Sequence, residues 1–222
     1  MTDVKPQRAG AYRIVARLPG GGDGVFLAEG RHGRRVVLKL CERGADERQG
    51  LAELALLGLR HPGLAACLDA GRLLDDGRLY TVSEYVAGQP LGPAALPWPR
   101  PRPDAAVRLC AQLLAALGAL HDRGRLHRDL KPANVLLESA SGRPVILDFG
   151  LGCAIGESAG APSAGTPAAM APELFRGDPA TPASDLWAAG LLLSECLLGR
   201  RLFRAEEPEG MAREREAFAG FA

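Results

Sequence analysis

Residues 12–18 and 25–29 suit two strands, joined by the glycine-rich turn Pro19, Gly20, Gly21, Gly22, Asp23 and Gly24. Val36, Val37 and Leu38 form a buried apolar run that ends on one cation, Lys39. A lysine in such a run is costly unless paired, so a specific partner is expected. Residues 46–59 place Leu51, Leu54 and Leu57 beside Gln49, Glu53 and Leu56 on neighbouring helical faces, the pattern of an amphipathic helix. Residues 67–73 and 78–84 read as strands around the turn Asp75, Asp76 and Gly77. Prolines at 90, 93, 97, 99, 101 and 103 argue against a regular helix over residues 89–103. Asp104 then caps a helix with Val107, Cys110, Leu114, Leu117 and His121 at spacings of three and four, closed by Gly124. Residues 184–198 are apolar nearly all round, as in a helix buried at the centre of a lobe.

Composition narrows the function classes. A chain of 222 residues can bury one large core or two small lobes. A formal charge of +1 gives no electrostatic footing for nucleic acid or an anionic membrane. The five cysteines lack CxxC or zinc-ligand spacing and read as reduced, mostly buried hydrophobes. The first residues lack the apolar core of a signal peptide, and residues 186–198, interrupted by Glu195, fall short of the roughly 20 residues that cross a bilayer. A cytoplasmic chain without a membrane segment is expected.

The stretch HRDLKPAN at residues 127–134 concentrates phosphate chemistry on one short segment. Asp129 offers a carboxylate to accept a hydroxyl proton, Lys131 a cation for a phosphate in transfer, and Asn134 an amide oxygen for a metal. Pro132 stiffens the backbone between them.

With DFG at 148–150 and APE at 171–173, in that order, this segment resembles the eukaryotic-type (Hanks-type) serine/threonine protein kinases, in their bacterial style. The resemblance runs from about Tyr12 to about Phe203. It implies an α+β, two-lobed protein-kinase-like fold: a small antiparallel β-sheet N-lobe with one helix, and a mainly helical C-lobe lacking its last helices. Residues 1–11 are then an extension and 12–222 the kinase domain, with the N-lobe at about 12–83, the hinge at 84–88 and the C-lobe from 89 onward.

The resemblance also implies ATP, bound between the lobes, and magnesium. Lys39 would take the α and β phosphates and pair with Glu53, with Glu47 as the other possible partner. The turn around Leu18, Gly20, Gly22 and Gly24 would cover the phosphates with backbone N–H groups. An ordinary hairpin turn carries similar glycines, and the position ahead of the other motifs favours the phosphate reading. The family pattern GxGxxGxV, anchored on Val25, calls for glycine at 18, 20 and 23, where this chain has Leu18, Gly20 and Asp23. Val25, Val37 and Leu136 would sandwich the adenine, the backbone of Glu84 to Val86 would bond its edge, and Ser83 would guard the back of the pocket. Asn134 and Asp148 would hold magnesium, His127 and Phe149 would stack, Thr166 would bond Asp129 and Lys131, and Asp185 would bond the backbone of the catalytic loop.

DLKPAN and the Gly165, Thr166, Pro167 segment resemble kinases acting on serine and threonine, so the expected partner is a protein substrate carrying those hydroxyls. Arg128 suggests pairing with a phosphate on Ser158 or Ser163, local carbonyls being its other possible partners. A pseudokinase or nucleotide-binding scaffold is the rival reading, supported by the altered glycine pattern and the short interval from Glu53 to His61 and Pro62. A small-molecule phosphotransferase is disfavoured by APE and the Gly165 to Pro167 segment. The usual arginine partner of Glu173 lies well beyond residue 198 in the family, so a longer parent or a partner chain completing the C-lobe is expected, with oligomerisation through uncovered apolar faces otherwise.

Overall fold

The computed structural model describes residues 8–19, 24–41, 47–91, 103–156, 166–198, 200, 202–203 and 208–219. Two compact units are present: Met1–Arg60 with Ala65–Val86, and His61–Leu64 with Ala87–Ala222.

The first unit is an antiparallel sheet built from β1 (Arg8–Ala9), β2 (Tyr12–Arg17), β3 (Val25–Glu29), β4 (Arg35–Leu40), β5 (Cys67–Arg72) and β6 (Leu79–Glu84), in the order β1-β2-β3-β4-β6-β5. The two-residue period of a strand sorts its side chains. Phe26, Ala28, Val36, Leu38, Leu40, Tyr80 and Val82 close a core with Leu73 and Ala9. The buried Ala9 shows that the residues read as an extension take part in this core through β1. Cross-strand partners Val25 and Lys39, Leu27 and Val37, and Lys39 and Thr81 share the opposite face.

One α-helix among the described residues of this unit, α1 (Arg48–Leu54), packs against β5 and β6. It is shorter than residues 46–59, because after Ala55 the bonds tighten to three-residue turns, Leu56 N to Glu53 O and Leu57 N to Leu54 O, and the chain turns through Gly58 at φ +85°. The leucine stripe does not face inward: Leu51 and Leu57 are half exposed, whereas Gly50, Ala52, Glu53 and Leu56 are buried. Gly50 permits this approach, since a Cβ there would sit 2.4 Å from Leu79 Cδ2.

In the second unit, β7 (Gly88–Pro90), β9 (Val135–Glu138) and β10 (Pro144–Ile146) form a three-stranded sheet, while β8 (Arg125–Leu126) pairs with β11 (Cys153–Ala154). The helices are α2 (Pro103–His121), α3 (Pro172–Phe175), α4 (Pro182–Leu198) and α5 (Pro208–Ala219). Helix α2 begins at Pro103, where a missing N–H costs nothing; Asp104 lies in the first turn, not at the cap, and pairs with Arg108 at 3.1 Å. Its buried line is Leu113, Ala116, Leu117 and Leu120, while Val107 and Leu114 of the expected stripe point outward. Helix α4 buries Asp185, Ala188, Ala189, Leu192 and Cys196, but Leu186, Leu197 and Leu198 are about half exposed, so it is not covered all round. Burial pushes the Cys67 and Cys196 thiols up to about 11, in keeping with neutral packed cysteines.

Two buried charges fix loops in this unit. The Asp185 carboxylate accepts the backbone N–H groups of His127 and Arg128, both at 2.9 Å, and Nε2–H of His121 at 2.8 Å. Arg128 thereby holds φ at +69°, uncommon for a residue with a side chain. Burial disfavours the charged carboxylate, yet these hydrogen bonds outweigh it and keep the Asp185 pKa below its ordinary value. On α5, the buried guanidinium of Arg215 donates to Met170 O at 3.0 Å, Ala168 O at 2.8 Å and Met211 O at 3.0 Å, and lies over the Phe203 ring. It thus clamps the turn Pro167–Ala169.

Asp185→Asn exchanges a charged two-oxygen acceptor for a neutral one-oxygen acceptor and should cost about 2–3 kcal/mol at neutral pH, read by denaturant unfolding. The parent's extra stability is complete above the unfolded carboxyl pKa and vanishes as pH falls through the lower folded value, so the variant should lose less on acidification below about pH 4. Arg215→Met strips donors from carbonyls in a buried setting and should cost about 2–4 kcal/mol, visible as a lower thermal midpoint.

Candidate active site

In the first unit, Lys39 Nζ lies 2.6 Å from Glu53 Oε1. Glu53 is therefore the partner that the apolar run demanded, while Glu47 binds Arg72 at 2.7 Å. The second oxygen of Glu53, Oε2, accepts the Thr81 hydroxyl. Val25, Leu27 and Val37 lie on the face that carries Lys39, giving an apolar surface that ends on a cation. Leu18 N donates to Val25 O at 3.0 Å. Gly24 has a packing reason to be glycine, since a Cβ there would stand 2.5 Å from Leu40 O. Gly20 and Gly22 lie outside the described residues. Glu84 N donates to Ala66 O at 2.9 Å, so that amide is already engaged; Val86 is half-buried.

In the second unit, the loop pinned by Asp185 presents Asp129 with both carboxylate oxygens in use. Oδ1 accepts Thr166 N at 3.0 Å and Thr166 Oγ1 at 2.7 Å. Oδ2 accepts Asn134 Nδ2 at 2.9 Å and pairs with Lys131 Nζ at 2.7 Å. Lys131 also donates to Thr166 Oγ1 at 2.8 Å, closing a compact triad. A carboxylate has about four lone-pair positions, so this one is saturated.

His127 Nε2 lies 2.9 Å from Leu147 O, and its ring meets Phe149 edge-on at 5.4 Å. Leu147 N donates to Asn134 O at 2.8 Å, which ties the residue before Asp148 to Asn134. Asp148 is exposed at φ +59° and accepts Gly150 N through Oδ1 at 3.3 Å. Asn134 uses its Nδ2 on Asp129, which leaves the amide oxygen as the end suited to a hard cation. No three His, Cys, Asp or Glu residues among those described could together hold a metal. One amide and one carboxylate fit magnesium, which keeps waters and shares substrate phosphates. Leu136 is half-buried between Pro90 and Val145 in the sheet.

Sequence reasoning had no motif for Thr81 or Arg215, and it did not foresee His121 as a donor to Asp185. The apolar run around Thr81 and the run of charges around Arg215 gave no sign of either contact. Glu173 takes the Ser184 hydroxyl at 2.6 Å. Arg128 Nη1 reaches Leu151 O at 3.5 Å, and its buried Nε has no hydrogen-bond partner among the described residues. Ser158, Ser163 and Gly165 lie outside them.

The chain is 35% identical over 90% of its length to serine/threonine-protein kinase pkn3 of Myxococcus xanthus, covering 40% of that protein. It is 34% identical over 90% of its length to pkn2 of the same organism, covering 26% of it. It is also 35% identical over 91% of its length to the DNA damage-responsive serine/threonine-protein kinase RqkA of Deinococcus radiodurans, covering 32% of it. The chain therefore spans well under half the length of these relatives. Residues 20–219 match the family model for the protein kinase domain, and with its motifs folded as above the chain belongs to that family.

Proposed function

We propose that the chain is the catalytic part of a serine/threonine protein kinase, moving the γ-phosphate of ATP to serine or threonine hydroxyls of a protein. The observation that carries this reading is the Asp129, Lys131, Thr166 and Asn134 network, which orients one carboxylate and one cation on the same short loop. The serine/threonine-kinase names of its relatives support it.

In the reaction, the substrate hydroxyl oxygen forms a bond to the γ-phosphorus, the bond to the bridging oxygen of ADP breaks, and the hydroxyl proton passes to Asp129. Because the Asp129 carboxylate is saturated, one of its donors must yield to admit the hydroxyl. Lys131 is suited to that: its ammonium can pivot from Oδ2 to the phosphate in transfer, freeing an acceptor as negative charge arrives. Magnesium, when bound, neutralises the β and γ phosphates. Asn134 and Asp148 are the residues to hold it, and Lys39, kept in place by Glu53, the one to meet the α and β phosphates.

Leu18, Gly24, Val25 and Val37 in the first unit, and Leu136 in the second, are assigned to the nucleotide, with the backbone near Glu84 and Val86 for the adenine edge. A phosphate on the segment before Thr166 would suit the Arg128 guanidinium. No helix among the described residues is long and apolar enough to cross a membrane. The need for ATP points to a cytoplasmic setting and a signalling role.

Incubation with γ-labelled ATP and magnesium should label serine or threonine on the chain or on a generic basic protein. Asp129→Asn should lower the rate about 10²–10⁴-fold in protein that still unfolds cooperatively. Lys39→Met should do likewise; label surviving in both variants would refute the assignment, and ATP binding without any transfer would favour a nucleotide-binding scaffold. Chelating the metal should abolish transfer, and added magnesium should restore it.

A further inference from the structure

We infer that Thr81 is a positioning residue for the phosphate-binding lysine, acting through Glu53; this rests on the kinase reading of Lys39. Thr81 is 3% exposed and stands directly across from Lys39 in the pairing of β4 with β6, so both side chains leave the same face of the sheet. Its Oγ1–H donates to Glu53 Oε2 while Lys39 Nζ takes Oε1. Each oxygen of that buried carboxylate therefore has its own donor on adjacent strands.

Nothing in the strand itself asks for a hydroxyl. Leu79, Tyr80 and Val82 around Thr81 belong to buried, largely apolar surface, and valine has the same shape and equal β preference. A hydroxyl retained there needs a partner, and Glu53 is it. The helix that carries Glu53 rests on β5 and β6 chiefly through small residues, with Gly50 against Leu79. Helix α1 is seven residues long, and its N-cap Glu47 makes no side-chain cap bond, being turned to Arg72. Leu51 of this helix is half exposed. The two bonds to Glu53 tie α1 to β4 and β6, and the Thr81 bond keeps the carboxylate turned toward Lys39.

The test separates hydroxyl from methyl. Thr81→Val keeps the shape and loses the donor; Thr81→Ser keeps the donor and loses the methyl. The valine variant should lower kcat/KM for ATP about tenfold to a hundredfold, the range of a lost hydrogen bond to a charged group. The serine variant should stay within about threefold of the parent. In a Glu53→Gln background the valine change should have little further effect. Parent-like activity in the valine variant, a larger loss in the serine variant, or full additivity with Glu53→Gln would each overturn the proposal. A second readout is independent of phosphate transfer: amide hydrogen exchange in Leu51 to Leu54 should speed up in Thr81→Val and not in Thr81→Ser. Equal exchange in all three proteins would overturn the proposal. If the parent transfers no phosphate, the kinase reading fails and the exchange measurement still decides the role of Thr81.

Discussion

The second unit depends on one buried carboxylate. Asp185 sits on α4, 58 residues after His127 in the chain, yet it holds the backbone on which Asp129, Lys131 and Asn134 are mounted. Without it, two amides would be buried without an acceptor and Arg128 would have no reason to keep a left-handed backbone. His121 adds a third donor from the end of α2, so the loop is tied at once to the helix that precedes it and to one that follows it. The charge that makes Asp185 expensive to bury makes it a strong acceptor, and three N–H donors are enough for the charged form to prevail.

Much of this was legible in the sequence because phosphate chemistry demands particular groups in a fixed order. Asp129, Lys131 and Asn134 lie within six residues, so their proximity needed no knowledge of the fold. The cost of burying Lys39 called for a carboxylate, and Glu53 answers it from 14 residues away. The β-strands were legible too, since a period of two is hard to mimic with another structure. Helical faces were less so. Helix α2 carries leucines and alanines on several sides, so its spacing was compatible with the Val107 and Leu114 stripe as well as with the Leu113 and Leu120 line that packs. Over residues 46–59, three leucines on one face outweighed a glycine and an alanine in the pattern, yet the small residues of α1 are the ones that admit the sheet.

Thr81 and Arg215 were illegible for another reason. Neither belongs to a local motif, and each acts on a group distant in sequence: 28 residues separate Thr81 from Glu53, and 45 separate Arg215 from Met170. A threonine in a strand is favoured by its shape alone, and an arginine among the charges of α5 reads as surface. Only the fold supplies the buried acceptors that each of them meets.

Those contacts reveal a shared design in the two units. Glu53 is held by a lysine and a threonine, Lys39 and Thr81; Asp129 is held by a lysine and a threonine as well, Lys131 and Thr166. The same pair of donors acts differently in each because the surroundings differ. Around Glu53 both donors come from neighbouring strands of one sheet, whose ladder fixes the backbone of each. Around Asp129 the lysine is on a loop and the threonine at the entry to a turn that Arg215 clamps from the far side. The threonine is thereby held through its backbone as well as its hydroxyl, whereas the lysine is held by its flexible side chain alone. On the kinase reading proposed above, a saturated carboxylate able to release one particular bond would be an acceptor held in orientation until a phosphate draws the lysine away.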